Sequence, residues 1–319
     1  MMAPVEALFG PVAPGQVPYW RLVLRGCSQL CFQTNELTAL FFLAAVALAS
    51  PIAAAYMLTA AVIAPGARMV LGERGPVLET GLPGLNPCLI ALALPAFFHT
   101  GWTDAAMWGL LIVAVLSTVV LTRLLVAFLP LPTLALPFLI TFWIIFALTP
   151  ILGFLQPIAF GVAGQTTLHP VEAVLRGLGE ALFSPTVWSG LLVLAGVLLS
   201  NWRHGVLALL GAVIAMVVAY YHRDLADPAT INLGLYGFNG VLAAVAVFVC
   251  CGGMLRLACF GAILATLLIP AIPDFGVSAL SAPFVLSTWL LVTLGWIERN
   301  WFDLPSTRAA SAARETESA

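Results

Sequence analysis

Two stretches, GLPGLNPCLIALAL at residues 81–94 and GLYGFNGVLAAVAV at residues 234–247, decide how this chain folds. Both place Gly-Leu, any residue, Gly, an apolar residue and Asn ahead of an apolar run. They stand about half a chain length apart in a protein of 319 residues. Because Gly and Asn rarely recur in the same pattern by chance, the pair predicts that one structural unit occurs twice.

Three further pairs of segments match in the same order along the chain. LRGCSQLCF at 24–32 matches LRGLGEALF at 175–183, and LTALFFLAAVALAS resembles WSGLLVLAGVLLS. LALPFLITFW at 134–143 matches LSAPFVLSTW at 280–289. We therefore predict two tandem copies between two tails. The predicted parts are an N-terminal tail at 1–20, a first copy at 21–160, a second copy at 161–300 and a C-terminal tail at 301–319.

The composition is that of an integral membrane protein. The chain is 62% hydrophobic and 8% charged, against about 25% charged residues in soluble domains. Its mean hydropathy is +1.07, and its net charge of −2 argues against nucleic-acid binding. Ten apolar segments predict ten transmembrane helices in an all-α fold. They lie at 36–50, 52–66, 86–99, 104–122, 137–155, 187–200, 204–221, 238–250, 254–270 and 283–297.

Five crossings in each copy is an odd number, so the second copy must enter the membrane from the opposite side. This predicts an inverted repeat around a central pore. With ten crossings, ten of the twelve arginines fall on the side of both termini, which places the termini in the cytoplasm. These ten are Arg21, Arg25, Arg68, Arg74, Arg123, Arg203, Arg256, Arg299, Arg308 and Arg314, while Arg176 and Arg223 fall on the other side.

The matched LRG segments are too short to cross a membrane and carry a polar residue at equivalent places. Gln29 stands three positions before Phe32, and Glu180 three positions before Phe183. Residues i and i+3 share a helix face, so each pair should point the same way. We predict two re-entrant half-helices buried in protein, where polar ends can line a cavity. The alternative is a pair of interfacial amphipathic stretches with Glu180 in water.

The Gly-rich phrases lead into Asn86 and Asn239, which are expected to cap the helices that follow them. The residues just before them, Leu85 and Phe238, are better candidates for a solute pathway. Leu89 and Leu242 lie one turn later on the same faces and are candidates too. The Pro residues of the matched LALPF and LSAPF segments should break or kink their apolar runs.

At these residues the chain resembles the urea transporter family of membrane channels, over nearly its whole length. LPTLALPF at 131–138 is similar to the family signature Leu-Pro-x-x-Thr-x-Pro-Phe, and VSALSAPF at 277–284 is its second-copy counterpart. GLYGFNGVLAA and SQLCFQTNELTALFFLA also resemble the family's sequences in the corresponding segments. The chain departs from the family at the signature Thr, which is Ala135 in the first copy and Ser281 in the second, and at Leu85 and Pro87, which replace Phe and Gly of the GFNG segment.

The resemblance implies a homotrimer with one pore through each protomer. It implies two apolar slots flanking a narrow filter that oxygen atoms line on one side. One slot would use Phe32, Leu85 and Leu89, and the other Phe183, Phe238 and Leu242. Gln29 and Glu180 would contribute oxygens at the ends of the half-helices, with Ala135 and Ser281 at the filter centre.

The features of the pathway predict passive, downhill passage of urea or a closely related small amide, without cofactor, metal or ATP, and the resemblance implies a bacterial inner membrane. Loss of the hydroxyl at Ala135 could weaken, widen or retune the filter. One alternative is a channel for ammonia, ammonium or another small neutral solute, although all four histidines fall at span ends or in loops. An intramembrane enzyme is a weaker alternative, because HExxH is absent and the aspartates lie in loops or at span ends.

Overall fold

The computed structural model describes residues 8–10, 12–13, 15–159, 167–222, 227–272 and 279–302. Within these ranges the chain forms twelve helices of ten or more residues. They are α1 Tyr19–Ser28, α2 Glu36–Ala49, α3 Pro51–Val70, α4 Leu85–Phe97, α5 Ala105–Phe128, α6 Leu136–Ala147, α7 Pro170–Glu180, α8 Val187–Ser200, α9 Trp202–Tyr221, α10 Gly237–Cys250, α11 Leu255–Leu268 and α12 Ala282–Ile297. The predicted boundary between the copies and most of the predicted C-terminal tail lie outside the described residues.

Each of the ten apolar segments overlaps one helix, although the predicted segment at 137–155 ends eight residues beyond α6 and that at 104–122 ends six residues before the end of α5, and α1 and α7 occupy the two predicted half-helices. Three helices, α3, α5 and α9, are long and apolar enough to cross a membrane by themselves. The other seven contain 12–16 residues, or about 18–24 Å at 1.5 Å per residue, against about 30 Å of hydrocarbon. The all-helical class is confirmed, whereas the count of ten crossings stays a prediction.

The first half-helix is sharply separated from the helix after it. The axis of residues Tyr19–Cys31 is bent by 68° from that of α2, across a break of four residues. The break begins at Phe32, which has a left-handed backbone with φ of 58°. Asn35 then caps α2 by accepting a hydrogen bond from the Thr38 amide at 2.9 Å. A half-helix followed by a capped turn is the local structure that a re-entrant segment requires.

The two halves repeat the same unusual backbone conformations. Four non-glycine residues have positive φ among the described residues, and they form two equivalent pairs. Phe32 and Phe183 have φ of 58° and 52°, and Leu134 and Leu280 have φ of 46° and 48°. Because bulky residues rarely adopt this conformation, its recurrence at matched positions shows that the sequence repeat is also a repeat of local structure.

Helices α2 and α8, which are equivalent in the two halves, pack against each other in opposite directions. The Thr38 hydroxyl donates to the Gly196 carbonyl at 2.7 Å, and the Ser189 hydroxyl donates to the Ala45 carbonyl at 2.7 Å. Thr38 is equivalent to Ser189, and Ala45 is equivalent to Gly196. An early residue of each helix thus contacts a late residue of the other. Such reciprocal contacts are those of a two-fold axis.

Glycine pairs allow each half-helix to approach the following Gly-Leu phrase of its own half. A Cβ atom added at Gly84 would lie 2.5 Å from the Gly26 Cα atom. A Cβ added at Gly237 would lie 2.8 Å from the Gly177 Cα atom. Any side chain at these positions would force the backbones apart, so the glycines that the two segments share have a packing role in both halves.

The charged contacts that hold the half-helices differ between the halves. Arg21 and Arg25 of α1 both donate through Nε to Glu36 Oε1, at 2.6 Å and 2.8 Å, and the Glu36 side chain is 1% exposed. Val187 replaces Glu36 in the second half, where Arg176 pairs within α7. Breaking a buried pair by removing one partner is strongly destabilising. The first half-helix is therefore held to α2 by charge, and no ion pair between α7 and α8 occurs among the described residues.

Candidate functional site

Two cavities lie among the predicted pathway residues, and equivalent residues line them. The first-half cavity has a volume of about 530 Å³ and the second-half cavity about 330 Å³. In five matched pairs, the residue from the first repeat lines the first-half cavity and its equivalent lines the second-half cavity. These pairs are Phe32 and Phe183, Leu82 and Leu235, Leu85 and Phe238, Asn86 and Asn239, and Leu134 and Leu280. The two cavities are therefore the same feature of the repeated unit, built twice.

The structure places eight of the ten predicted pathway residues at these cavities. Six line the second-half cavity, namely Leu89, Glu180, Phe183, Phe238, Leu242 and Ser281. Phe32 and Leu85 line the first-half cavity. Gln29 and Ala135 are buried, and neither lines either cavity.

Leu89 lies at the second-half cavity and not, as the resemblance implied, at the first-half cavity. It was expected beside Phe32 and Leu85 in one slot, yet it lines the second-half cavity together with its equivalent, Leu242. Leu89 is four residues beyond Leu85 in α4, or about 6 Å along the helix axis. Leu242 is likewise four residues beyond Phe238, but those two residues line the same cavity, so the placement of Leu89 departs from the repeat.

The phenylalanines that end the half-helices pack against the opposite half. The Phe32 ring lies 6.3 Å from the Phe284 ring, and the Phe183 ring lies 6.1 Å from the Phe138 ring, both edge to face. Because Phe32 and Phe183 are equivalent, as are Phe138 and Phe284, the two contacts are reciprocal. Edge-to-face pairs at this distance are favourable, so each slot ring is positioned by the other copy.

Backbone hydrogen bonds hold these slot phenylalanines in the left-handed conformation. The Phe32 amide donates to the Gln29 carbonyl at 2.8 Å, and the Phe183 amide donates to the Glu180 carbonyl at 2.9 Å. Strained non-glycine backbone typically costs about 1–3 kcal/mol and concentrates at functional sites. All four positive-φ residues, including Leu134 and Leu280, line one of the two cavities.

The two polar residues of the half-helices have different surroundings. The Gln29 side-chain amide donates to the Thr34 hydroxyl at 3.0 Å and to the Thr80 carbonyl at 2.8 Å. Since both of its N–H donors are used, its oxygen is the atom left for another donor. Glu180 lines the second-half cavity, and no ion pair in the described part of the chain involves it. Both side chains thus have oxygen available as an acceptor.

Asn86 and Asn239 do not cap the helices in which they lie, so that prediction was wrong. Helices α4 and α10 already begin before these residues. The Asn86 side chain instead donates to the Leu134 carbonyl at 2.9 Å and accepts from the Phe138 amide at 3.0 Å. Asn239 makes the two equivalent bonds at 3.0 Å and 3.2 Å. Each asparagine therefore bridges the left-handed turn before α6 or α12 and caps that distant helix.

The prolines of the matched LALPF and LSAPF segments break the apolar runs without kinking a helix. Pro137 and Pro283 lie in the first turns of α6 and α12, where a missing N–H is tolerated. Ala135 and Ser281 occupy the N-cap positions just before these helices, and neither makes a side-chain cap bond. The Ser281 hydroxyl is buried, lines the second-half cavity and has no hydrogen-bond partner within the described ranges.

Some residues at the site carried no clear sequence signal. Phe97 and Tyr236 line the second-half cavity, and an apolar run alone does not distinguish such residues from lipid-facing ones. The Gln33 side-chain nitrogen lies 3.1 Å from Nδ1 of His204, a contact between the two halves. His204 was expected at a span end, and it is the third residue of α9.

Comparison with known proteins agrees with this arrangement. A sequence profile described as "UT: Urea transporter" matches residues 20–296. The chain is 24% identical to urea transporter 1 of Ovis aries over 321 aligned residues, covering 90% of this chain and 79% of the relative. It is 25% identical to urea transporter 1 of Mus musculus over 322 residues, with the same coverage. The profile covers well over half of the sequence, and the chain belongs to the urea transporter family.

Proposed function

We propose that this protein is a passive channel for urea and closely related small amides. Members of the family are membrane-embedded transporters and not enzymes, which removes the intramembrane enzyme as an alternative. The observation that carries the proposal is the pair of equivalent cavities, each containing a slot phenylalanine, a left-handed turn and an asparagine bridge. The ten pathway residues named from the sequence are proposed to contact the solute in transit.

The chemistry of the cavities suits a small, flat and neutral solute. Urea has four N–H donors and one acceptor oxygen, and removing a polar group from water without replacement bonds costs roughly 2–7 kcal/mol. Oxygens of Gln29, Glu180 and Ser281 could accept from its N–H groups. The faces of Phe32 and Phe183 fit its flat surfaces. A hydrated ion would gain too little from such walls to offset its lost hydration.

We also propose that the two copies have inverted orientations, with both termini in the cytoplasm. The antiparallel packing of α2 on α8 supports the inversion, because these helices are equivalent in the two copies. The arginine distribution supports the cytoplasmic placement. A bacterial inner membrane and a homotrimeric assembly are proposed from the family resemblance.

Stopped-flow light scattering of proteoliposomes tests the transport proposal. We expect urea to cross faster than in empty liposomes, without ATP or an ion gradient, with formamide and acetamide as comparison solutes and ammonia as the rival. Leu242→Phe, which narrows the second-half cavity, should lower urea flux. Leu116→Phe, the same change at an exposed position of α5, is the matched control and should not. Urea flux equal to that of empty liposomes would contradict the proposal, and ammonia flux alone would favour the rival.

Labelling from one side of the membrane tests the orientation. Val171→Cys introduces a thiol at an exposed position in the first turn of α7, and Arg203→Cys introduces one at an exposed position at the start of α9. The background should lack the three cysteines that are not fully buried, Cys250, Cys251 and Cys259. An impermeant maleimide should label position 203 from the cytoplasmic side and position 171 from the opposite side. Labelling of both from the same side would overturn the inverted arrangement.

A further inference from the structure

We infer that Asn239 is a positioning residue that keeps the Ser281 hydroxyl free to bond a solute in transit. Asn239 takes over the capping of α12, which Ser281 would otherwise perform with its own side chain. The inference rests on the proposed function, because the Ser281 hydroxyl would bond a solute only if the second-half cavity is part of the pathway.

Ser281 stands where a serine normally caps a helix. It is the N-cap residue of α12, a position where a hydroxyl usually accepts a hydrogen bond from the backbone amide two or three residues later, but its φ of −88° and ψ of 8° are not the extended conformation usual for such caps. Asn239 donates to the Leu280 carbonyl at 3.0 Å and so holds the turn that gives Ser281 this conformation. Here the amide of Phe284, three residues on, donates to Asn239 Oδ1 at 3.2 Å, and Ser281 makes no cap bond. The ordinary partner of the hydroxyl has been taken by a side chain from another helix.

The hydroxyl that results is buried and uncommitted. Ser281 is 4% exposed, its oxygen has no hydrogen-bond partner in the part of the chain that the structure describes, and it lines the second-half cavity. Buried polar atoms without partners are rare in native proteins and call for a specific reason. A solute N–H or carbonyl group passing through the cavity would supply the missing partner.

The first half contains the natural control for this inference. Asn86 makes the same two bonds as Asn239, but the cap position of α6 is Ala135, which has no hydroxyl. Removing either asparagine loses the bridge to a left-handed leucine turn. Only the loss of Asn239 also lets a hydroxyl turn away from the cavity to the helix amide. The difference between the two removals therefore isolates the role of Ser281.

A double-mutant cycle measures that role. Urea flux should be compared in Asn239→Ala, Ser281→Ala, the double variant and Asn86→Ala, with thermal melting of each in detergent. Loss of one solute hydrogen bond predicts that Ser281→Ala lowers flux about two- to tenfold. Asn239→Ala should lower flux by at least that factor more than Asn86→Ala does. The double variant should be no slower than Asn239→Ala alone, because the hydroxyl has already been withdrawn.

One further variant and two contrary outcomes complete the test. Asn239→Asp keeps the acceptor for the Phe284 amide and should retain more flux than Asn239→Ala. Independent losses that multiply in the double variant, or equal losses in Asn239→Ala and Asn86→Ala, would show that Asn239 is only structural. That outcome leaves the channel proposal standing.

A structure of the Asn239→Ala variant would show, without any flux measurement, whether Ser281 replaces Asn239 as the side chain that caps α12. We expect Ser281 Oγ within about 3 Å of the Phe284 nitrogen. A hydroxyl that stays in the cavity would overturn the inference. Absence of urea flux in the unmodified protein would instead overturn the proposed function. The structure of the variant would still show whether Asn239 prevents Ser281 from capping α12.

Discussion

Gly84→Ala should push half-helix α1 away from the segment that precedes α4. Gly84 has φ of −81° and ψ of −16°, so alanine adopts its backbone conformation without strain. The effect of the substitution is therefore purely steric. The added Cβ would lie 2.5 Å from the Gly26 Cα atom and 3.1 Å from its carbonyl carbon, whereas ordinary contacts begin at 3.4 Å. Both obstacles are backbone atoms, so the two segments must separate by roughly 1 Å.

That displacement should lower both stability and urea flux. Overpacking of this kind costs about 1–3 kcal/mol, which would lower the melting temperature of the purified protein. Half-helix α1 leads directly into Gln29 and Phe32, so the shift also moves an acceptor and a slot ring. If the solute loses the equivalent of one hydrogen bond, flux should fall about two- to tenfold. Stopped-flow urea flux and thermal melting in detergent measure the two effects.

Gly109→Ala is the matched control, because a Cβ at Gly109 in α5 meets no atom within 4 Å. It should leave flux unchanged and should not lower the melting temperature. Gly237→Ala in the second half should act like Gly84→Ala but more weakly, since its Cβ would lie 2.8 Å from the Gly177 Cα atom. If Gly84→Ala matched the Gly109 control in both assays, the close approach would not position the pathway, and the reasoning would fail.

Three other changes test separate parts of the site. Glu180→Gln should largely keep urea flux because an acceptor oxygen remains, and Glu180→Ala should lower it; equal, unimpaired flux in both would remove Glu180 from the pathway. Thr38→Val and Ser189→Ala each remove one of the reciprocal bonds between α2 and α8, and each should lower the free energy of unfolding by about 1 kcal/mol, with the larger loss for Ser189→Ala because that hydroxyl also accepts from the Thr186 hydroxyl; no loss for either variant on denaturant titration would show that these bonds do not stabilise the packing of α2 on α8. Ala135→Ser gives the first half the hydroxyl that the second half has and should raise urea flux; unchanged flux would show that the missing hydroxyl is not limiting.

The helices could be predicted from the sequence because residues close to each end determine where a helix begins and ends. Apolar runs define the bodies of the helices, and Ser, Asn, Gly and Pro mark their ends. Ser50 caps α3 ahead of Pro51, and Asn201 caps α9. The half-helices were predictable because LRG segments recur with a polar residue at the same place. Signals of this kind require no knowledge of distant contacts.

The contacts that build the site are long-range and left no periodic signal. Asn86 looks like a local cap in the sequence, but its partners lie 48 and 52 residues away. Helix α4 begins before Asn86, so the side chain can reach another helix instead of its own amides. Leu89 and Leu242 line the same cavity although Leu85 and Phe238 line different ones, a difference that the matched spacing of the two sequence segments does not reveal.

The two halves retain the same turns and bridges and part of the same apolar lining, including Phe32 with Phe183, while the polar side chains that would meet a solute have diverged. Glycine contacts, left-handed turns and asparagine bridges occur twice, whereas Gln29 is matched by Glu180 and Ala135 by Ser281. The backbone features place the cavities, so changing either copy would disturb the fold. The lining side chains alter only the free-energy profile along the pathway. A passive pore with an asymmetric profile still carries no net flux between equal concentrations, because ligands shift equilibria only by differences in free energy. In a passive channel of the kind proposed here, different side chains in the two halves would therefore not make transport directional.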